Sequence, residues 1–170
     1  MNAPPCTHRI GGPAEFGHDV HWPAMPPTSA GWWMQPQPSV FSAKSSRAAR
    51  AVLIAPWLDT SCATASAAAN ERADYVTAGS LRLSGVVNGG PNPLTEPGKL
   101  ANLPPLLVMV GSCDVLLDDS LALARSVADS GGDVTLSVAA AMPHAYTAFA
   151  AIEPRAQKGI ADAADFFKGA

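Results

Sequence analysis

The sequence predicts an α/β fold, with about three parallel strands and flanking helices behind a poorly ordered, Pro-rich arm. Three observations carry that expectation. Ala51-Val-Leu-Ile-Ala55 and Leu106-Leu-Val-Met-Val110 are short apolar runs closed by Pro56 and Gly111, the profile of buried strands. Val134, Leu136 and Val138 alternate with Thr135 and Ser137, a third strand with one less buried face. Helical patterns follow the second and third of these runs, and strands alternating with helices pair in parallel.

The elements take shape in chain order. Eight of the 16 prolines, three of the four His and three of the four Trp fall within the first 38 residues. Stretches such as Pro23-Ala-Met-Pro-Pro27 and Gln35-Pro-Gln-Pro38 neither continue a helix nor sit in a central strand. Residues 1–47 therefore read as a disordered or degenerate arm, and residues 48–170 as the folded portion. The connection 59–104 is too long for a simple crossover, so short helices are expected near Ser66–Arg72 and Ala78–Leu83. After the second strand, Asp118, Asp119 and Ser120 supply acidic or capping groups for a helix. Its expected apolar face joins Leu117, Leu121, Ala124 and Ala128, with Leu123 and Val127 beside it, and Gly131-Gly132 is the stop. A last helix runs from Pro154 to 168, with Ile160, Ala164 and Phe167 at helical spacing.

Composition narrows the function. In 170 residues, 48% are hydrophobic and 15% charged, so a buried core is expected. Net charge is −3, and residues 51–170 carry seven basic against twelve acidic groups. Such an acidic body argues against nucleic acid as a partner. No apolar run reaches the length of a membrane span, and no signal-peptide pattern opens the chain. Cys6, Cys62 and Cys113 are odd in number and widely spaced, so no disulfide framework is expected and the reading is cytoplasmic.

In an open parallel sheet, ligands bind outside the carboxyl ends of the strands. Asp114 follows the second strand through Gly111-Ser-Cys, and His144 follows the third through Ala141-Met-Pro. Adjacent strands would set both on one rim. An acid followed about 30 residues later by a His suits a carboxylate that orients an imidazole base. On spacing alone two plainer roles stay open: Asp114 as a cap for the next helix, and His144 as a surface loop residue.

A resemblance sharpens this. Leu103-Pro-Pro-Leu-Leu-Val-Met-Val-Gly-Ser-Cys-Asp-Val-Leu-Leu-Asp-Asp-Ser120, followed by Met142-Pro-His-Ala-Tyr146, resembles the C-terminal part of the hormone-sensitive-lipase-like esterases of the α/β-hydrolase superfamily. Ala55-Pro-Trp-Leu-Asp59 is similar to that family's Ser-Pro-Trp-x-Asp segment, and Asp74 and the stretch 90–93 fit its intervening region. The resemblance covers about residues 48–168. It implies a partial α/β-hydrolase fold, Asp114 and His144 as acid and base of a triad, a small ester substrate and no cofactor. It also implies that residues near Trp57 to Asp59 lie close to substrate.

The nucleophile fits less closely. The family pattern is Gly-x-Ser-x-Gly on a tight strand-to-helix elbow. Here Pro27-Thr-Ser-Ala-Gly31 makes Ser29 the candidate, 27 residues before Pro56. Pro27 replaces the first glycine, and Trp32-Trp33 stands where further glycines belong; Pro removes an N–H and indoles fill the space of hydrogens. Only 28 residues precede Ser29, and Ile10-Gly-Gly-Pro13 is a poor match for the family's oxyanion-hole loop. The compositional break near Arg47 therefore reads as a truncated or out-of-frame front portion.

Serine carboxylesterase chemistry with Ser29, Asp114 and His144 is the reading adopted. The alternative is a catalytically inactive hydrolase fragment that associates with another chain, because an unpaired apolar strand edge at 51–55 invites self-association. Cys6-x-His8 with His18-x-x-His21 holds zinc-ligand types at no usual spacing, so no metal is assigned. Cys113 reads as a small residue in a tight turn, and Asp118-Asp119 as a helix start.

Overall fold

The computed structural model describes residues 48–88, 92–95 and 97–169. The Pro-rich arm 1–47, with Ser29, the candidate zinc ligands and Trp32-Trp33, lies outside the described residues.

Three strands form a parallel sheet in the order β1 (Ala51–Ile54), β2 (Leu106–Gly111), β3 (Val134–Ala139). Ala51 pairs with Leu106 and Leu106 with Val134, and the register runs on without a bulge. Every residue of the central β2 is buried, which is why it reads as an unbroken apolar run rather than an alternation. Its side chains divide between two faces. Leu106 and Val108 pack with Leu53, Leu58, Leu100, Leu123 and Val127, while Leu107 and Met109 pack with Met142, Tyr146 and Ala156. On β3 the alternation is imperfect. Val138 is exposed and Ser137 half-buried, because β3 has a neighbour on one side only among the described residues.

The long connection holds helices α1 (Ala65–Ala69), α2 (Ala78–Asn88) and α3 (Pro97–Leu100), with a 3-10 turn at Pro93–Thr95. The first two were expected; the last two were not. Thr64 caps α1 by accepting the Ala67 amide.

Helix α4 (Leu117–Asp129) covers one face of the sheet and α5 (Pro154–Lys168) the other. Both occupy their expected spans, but each turns a different face inward. On α4 the buried stripe is Ser120, Leu123 and Val127, continuing from Leu116, and Leu121 is exposed. On α5 it is Ala156 and Gly159, with Ala163 and Phe166 partly covered, whereas Ile160 and Phe167 face outward. Gly159 decides the second case: a Cβ there would stand 2.8 Å from the Tyr146 hydroxyl and 3.1 Å from Met109 Cε. The smallest side of α5 is the one that fits against the sheet. Gly131, at φ +77°, ends α4 as expected. No helix among the described residues is long and apolar enough to cross a membrane.

Candidate active site

The sheet register sets the site. Gly111 of β2 pairs with Ala139 of β3, so the two strands end side by side and their exit loops run together. Ser112 N–H donates to Ala139 O at 2.9 Å, Cys113 N–H to Met142 O at 3.0 Å, and Ala141 N–H to Ser112 Oγ at 2.8 Å. These cross-links leave no room for a side chain at position 111. A Cβ there would overlap the Met142 carbonyl and stand 2.6 Å from Pro143 O.

Asp114 and His144 project from these laced loops and meet. His144 Nδ1 lies 3.3 Å from Asp114 Oδ1, with Asp114 fully buried and the imidazole 14% exposed. A carboxylate only accepts, so this contact puts the proton on Nδ1 and leaves Nε2 free to take one. The helix-cap role considered for Asp114 is also real. The same Oδ1 accepts the Leu116 amide at 2.8 Å, at the entrance to α4. Asp114 Oδ2 is buried with no hydrogen-bond partner among the described residues.

A third carboxylate completes the cluster. Asp74, in the loop between α1 and α2, accepts the Val115 amide through Oδ2 at 2.9 Å and the His144 amide through Oδ1 at 3.1 Å. Burial pushes its carboxyl above the ordinary value of 3.8; the amides of Val115 and His144 oppose that shift, and the Asp114 charge adds to it. Asp74, Asp114 and His144 each offer a ligand-type atom within 4.8 Å of the others. Each Asp74 oxygen accepts a loop amide and Nδ1 of His144 is turned toward Asp114, the contact by which a carboxylate orients an imidazole. Asn70 supports the acid from the same direction: its Nδ2 donates to Asp114 O at 2.8 Å and Ser112 O at 3.2 Å.

Asp118 and Asp119 do more than start a helix. Asp119 Oδ2 accepts the amides of Leu58 (2.8 Å) and Asp59 (3.1 Å), and Asp118 Oδ2 accepts that of Ser66 (2.7 Å). The pair thus pins the segment after β1 to the N-terminus of α4. Trp57 packs beside Cys62, Leu81 and Val115, and its indole N–H donates to Asp59 O, so its visible role is in the core. Cys113 is disulfide-bonded, where the sequence predicts no disulfide framework, and Cys62 is free and buried.

The comparisons fit this geometry. A family model described as alpha/beta hydrolase fold matches residues 39–148. The chain belongs to the alpha/beta hydrolase family. Among its relatives in that family, an acetyl-hydrolase of Streptomyces hygroscopicus is 33% identical over 129 residues, covering 72% of this chain and 43% of the relative. An esterase from the bacterial hormone-sensitive lipase family superposes with a TM-score of 0.69 at 30% identity, covering 74% of this chain and 45% of that one. An esterase/lipase from an uncultured bacterium gives a TM-score of 0.63 at 31% identity, with 71% and 43% covered. The chain spans a little under half the length of these relatives, and within that span it is a hormone-sensitive-lipase-like member of the family.

Sequence reasoning reached Asp114 and His144 from their strand-end positions. It noted Asp74 without a role and missed Asn70 and the need for glycine at 111. The available signal was weak, since nothing local to Asp74 tells that two distant loops fold back onto it.

Proposed function

We propose that this chain hydrolyses small carboxylic esters as a serine hydrolase, with His144 as general base, Asp114 as the acid that orients it and Ser29 as nucleophile. The observation that carries the reading is the contact between His144 Nδ1 and the buried Asp114 carboxylate, 3.3 Å long, at the carboxyl end of a parallel sheet. The relatives named as esterases and as an acetyl-hydrolase support the ester class. Ser29 enters through the motif Pro27-Thr-Ser-Ala-Gly31 alone.

In this mechanism Nε2 of His144 takes the serine proton as Oγ attacks the ester carbonyl. The tetrahedral adduct then expels the alcohol, which leaves with that proton, and an acyl-serine remains. Water attacks the acyl-serine with the same imidazole as base, releasing the acid and restoring the hydroxyl. Asp114 stays ionised throughout and stabilises the imidazolium formed at each proton transfer.

A second reading is favoured by one observation. Among the described residues β1 pairs only with β2, and Ile54 at its end is 40% exposed. A chain of this length would then be an inactive fragment that associates with another chain through the open edge. Hydrolysis of p-nitrophenyl acetate by the purified chain, beside its Ser29→Ala and His144→Ala variants, decides between the two. Turnover lost in both variants supports the triad. Turnover lost only with His144 removes Ser29 from it, and turnover no faster than buffer overturns the ester reading in favour of the fragment.

A further inference from the structure

We infer that Asp74 and Tyr75 form a two-residue positioning clamp on the backbone of His144, and that this clamp aims the imidazole at Asp114. The inference rests on the reading of His144 as the base.

The clamp closes on both sides of the residue. Asp74 Oδ1 accepts the His144 N–H at 3.1 Å, while the Tyr75 hydroxyl donates to the His144 carbonyl at 3.0 Å. Consecutive residues thus engage the amide and the carbonyl of one distant residue. The other oxygen of Asp74 accepts the amide of Val115, next to the acid, so a single carboxylate ties the acid's loop to the base's loop. A contact to its near neighbour Val76 N, at 3.4 Å, helps hold the Asp74 carboxylate in place. The Tyr75 ring meets the imidazole edge-on, with centroids 6.1 Å apart and planes at 69°, and also meets Phe149 at 6.0 Å.

The loop needs such a hold. Ala141 (φ +57°) and Ala145 (φ +44°) bracket His144 in the left-handed region, which alanine enters only at a cost in free energy. Strained backbone of this kind persists only where surrounding contacts hold it, and Asp74 and Tyr75 supply two such contacts at His144. Over half of Tyr75 is exposed, and its hydroxyl end rests on the His144 carbonyl. Burial first, then the charges of Asp74 and Asp114, push the phenol up to about 12, so it stays a donor across the neutral range.

The experiment uses the 15N-labelled full chain with Tyr75→Phe and Asp74→Asn, each checked for folding by circular dichroism. Two quantities are read: the downfield NMR signal of the proton between His144 Nδ1 and Asp114, assigned by its loss in His144→Gln, and p-nitrophenyl acetate kinetics. Asn keeps one acceptor but turns an N–H2 toward the other amide, so one of the two loop bonds must break. In both variants the signal should broaden or vanish. Where the wild type turns over ester, kcat should fall roughly 10–100-fold with KM moved less than about twofold. A folded Tyr75→Phe that keeps both signal and kcat overturns the clamp and leaves the ester reading standing. Wild type with the signal but without hydrolysis overturns the ester reading, and the signal in the variants then decides the clamp. Absence of the signal in the wild type overturns the clamp. Should Asp74→Asn fail to fold, Tyr75→Phe decides alone.

Discussion

Gly111 and Met142 pass backbone to backbone, with no space between them for even a methyl group. That contact brings the exit loops of β2 and β3 together, and Asp114 and His144 follow from it, three residues after Gly111 and two after Met142. In Gly111→Ala the Met142-Pro143 segment has to move, since the obstacle is main chain rather than a flexible side chain. The expected cost is about 1–3 kcal/mol of stability. Because His144 moves with the segment, ester turnover should fall by roughly a further hundredfold in the protein that still folds. Chemical denaturation and steady-state kinetics read the two effects; an alanine variant with wild-type values in both would show that the loops are not locked here.

Asp114→Asn separates orientation from fold. The asparagine oxygen still accepts the Leu116 amide that Asp114 Oδ1 holds at 2.8 Å, so α4 keeps its start. What changes is the charge: the oxygen that meets both the Leu116 amide and His144 Nδ1 then belongs to a neutral amide, which does not stabilise an imidazolium. We expect kcat to drop about 10³–10⁴-fold with the circular dichroism spectrum unchanged. A drop under tenfold would remove Asp114 from the mechanism.

Asp119 gives a pH test with a defined sign. Burial raises its carboxyl above 3.8, against the amides of Leu58 and Asp59 that lower it; the charges of Asp59 and Asp118 add to the rise. The folded chain therefore holds this proton more tightly than the unfolded chain. The stabilisation from that bound proton is fully present below the unfolded pKa and is lost as pH rises through the folded value. Asp119→Asn has no proton to lose. Its melting temperature, taken as the difference from wild type, should rise as pH climbs above the ordinary carboxylate value of 3.8. A flat or falling difference would contradict the assigned direction.

Two leucines on α4 test which face is buried. Leu123 is fully buried among Leu53, Leu106, Val108 and Val127, and Leu121 is 41% exposed. Leu123→Ala should cost about 2–5 kcal/mol, and Leu121→Ala well under half of that. Urea denaturation midpoints compare them directly, and equal losses would return Leu121 to the core.

Much of the fold was legible because its signals are local. The runs at 51–55 and 106–110, the proline at 154 and the glycines at 131–132 mark their elements through neighbouring residues, and the structure places strands and helices there. The rotation of α4 and α5 was not legible. Each carries two apolar stripes, so periodicity offers two inward faces, and only packing chooses between them. For α5 the choice falls to Gly159, whose missing Cβ makes room for Tyr146.

The candidate site divides in the same way. From its sequence alone the chain determined that an acid and an imidazole leave the tips of successive strands, since strand ends and loop lengths are short-range properties. The tertiary structure decided that Asp74 serves both loops, 41 positions from Val115 and 70 from His144. It also decided that Asn70 holds the turn of Asp114 from 44 positions away. Hydrogen bonds depend on distance in space, and the parallel crossovers that bring these residues together are set by burial of the whole sheet, which no local run of letters encodes.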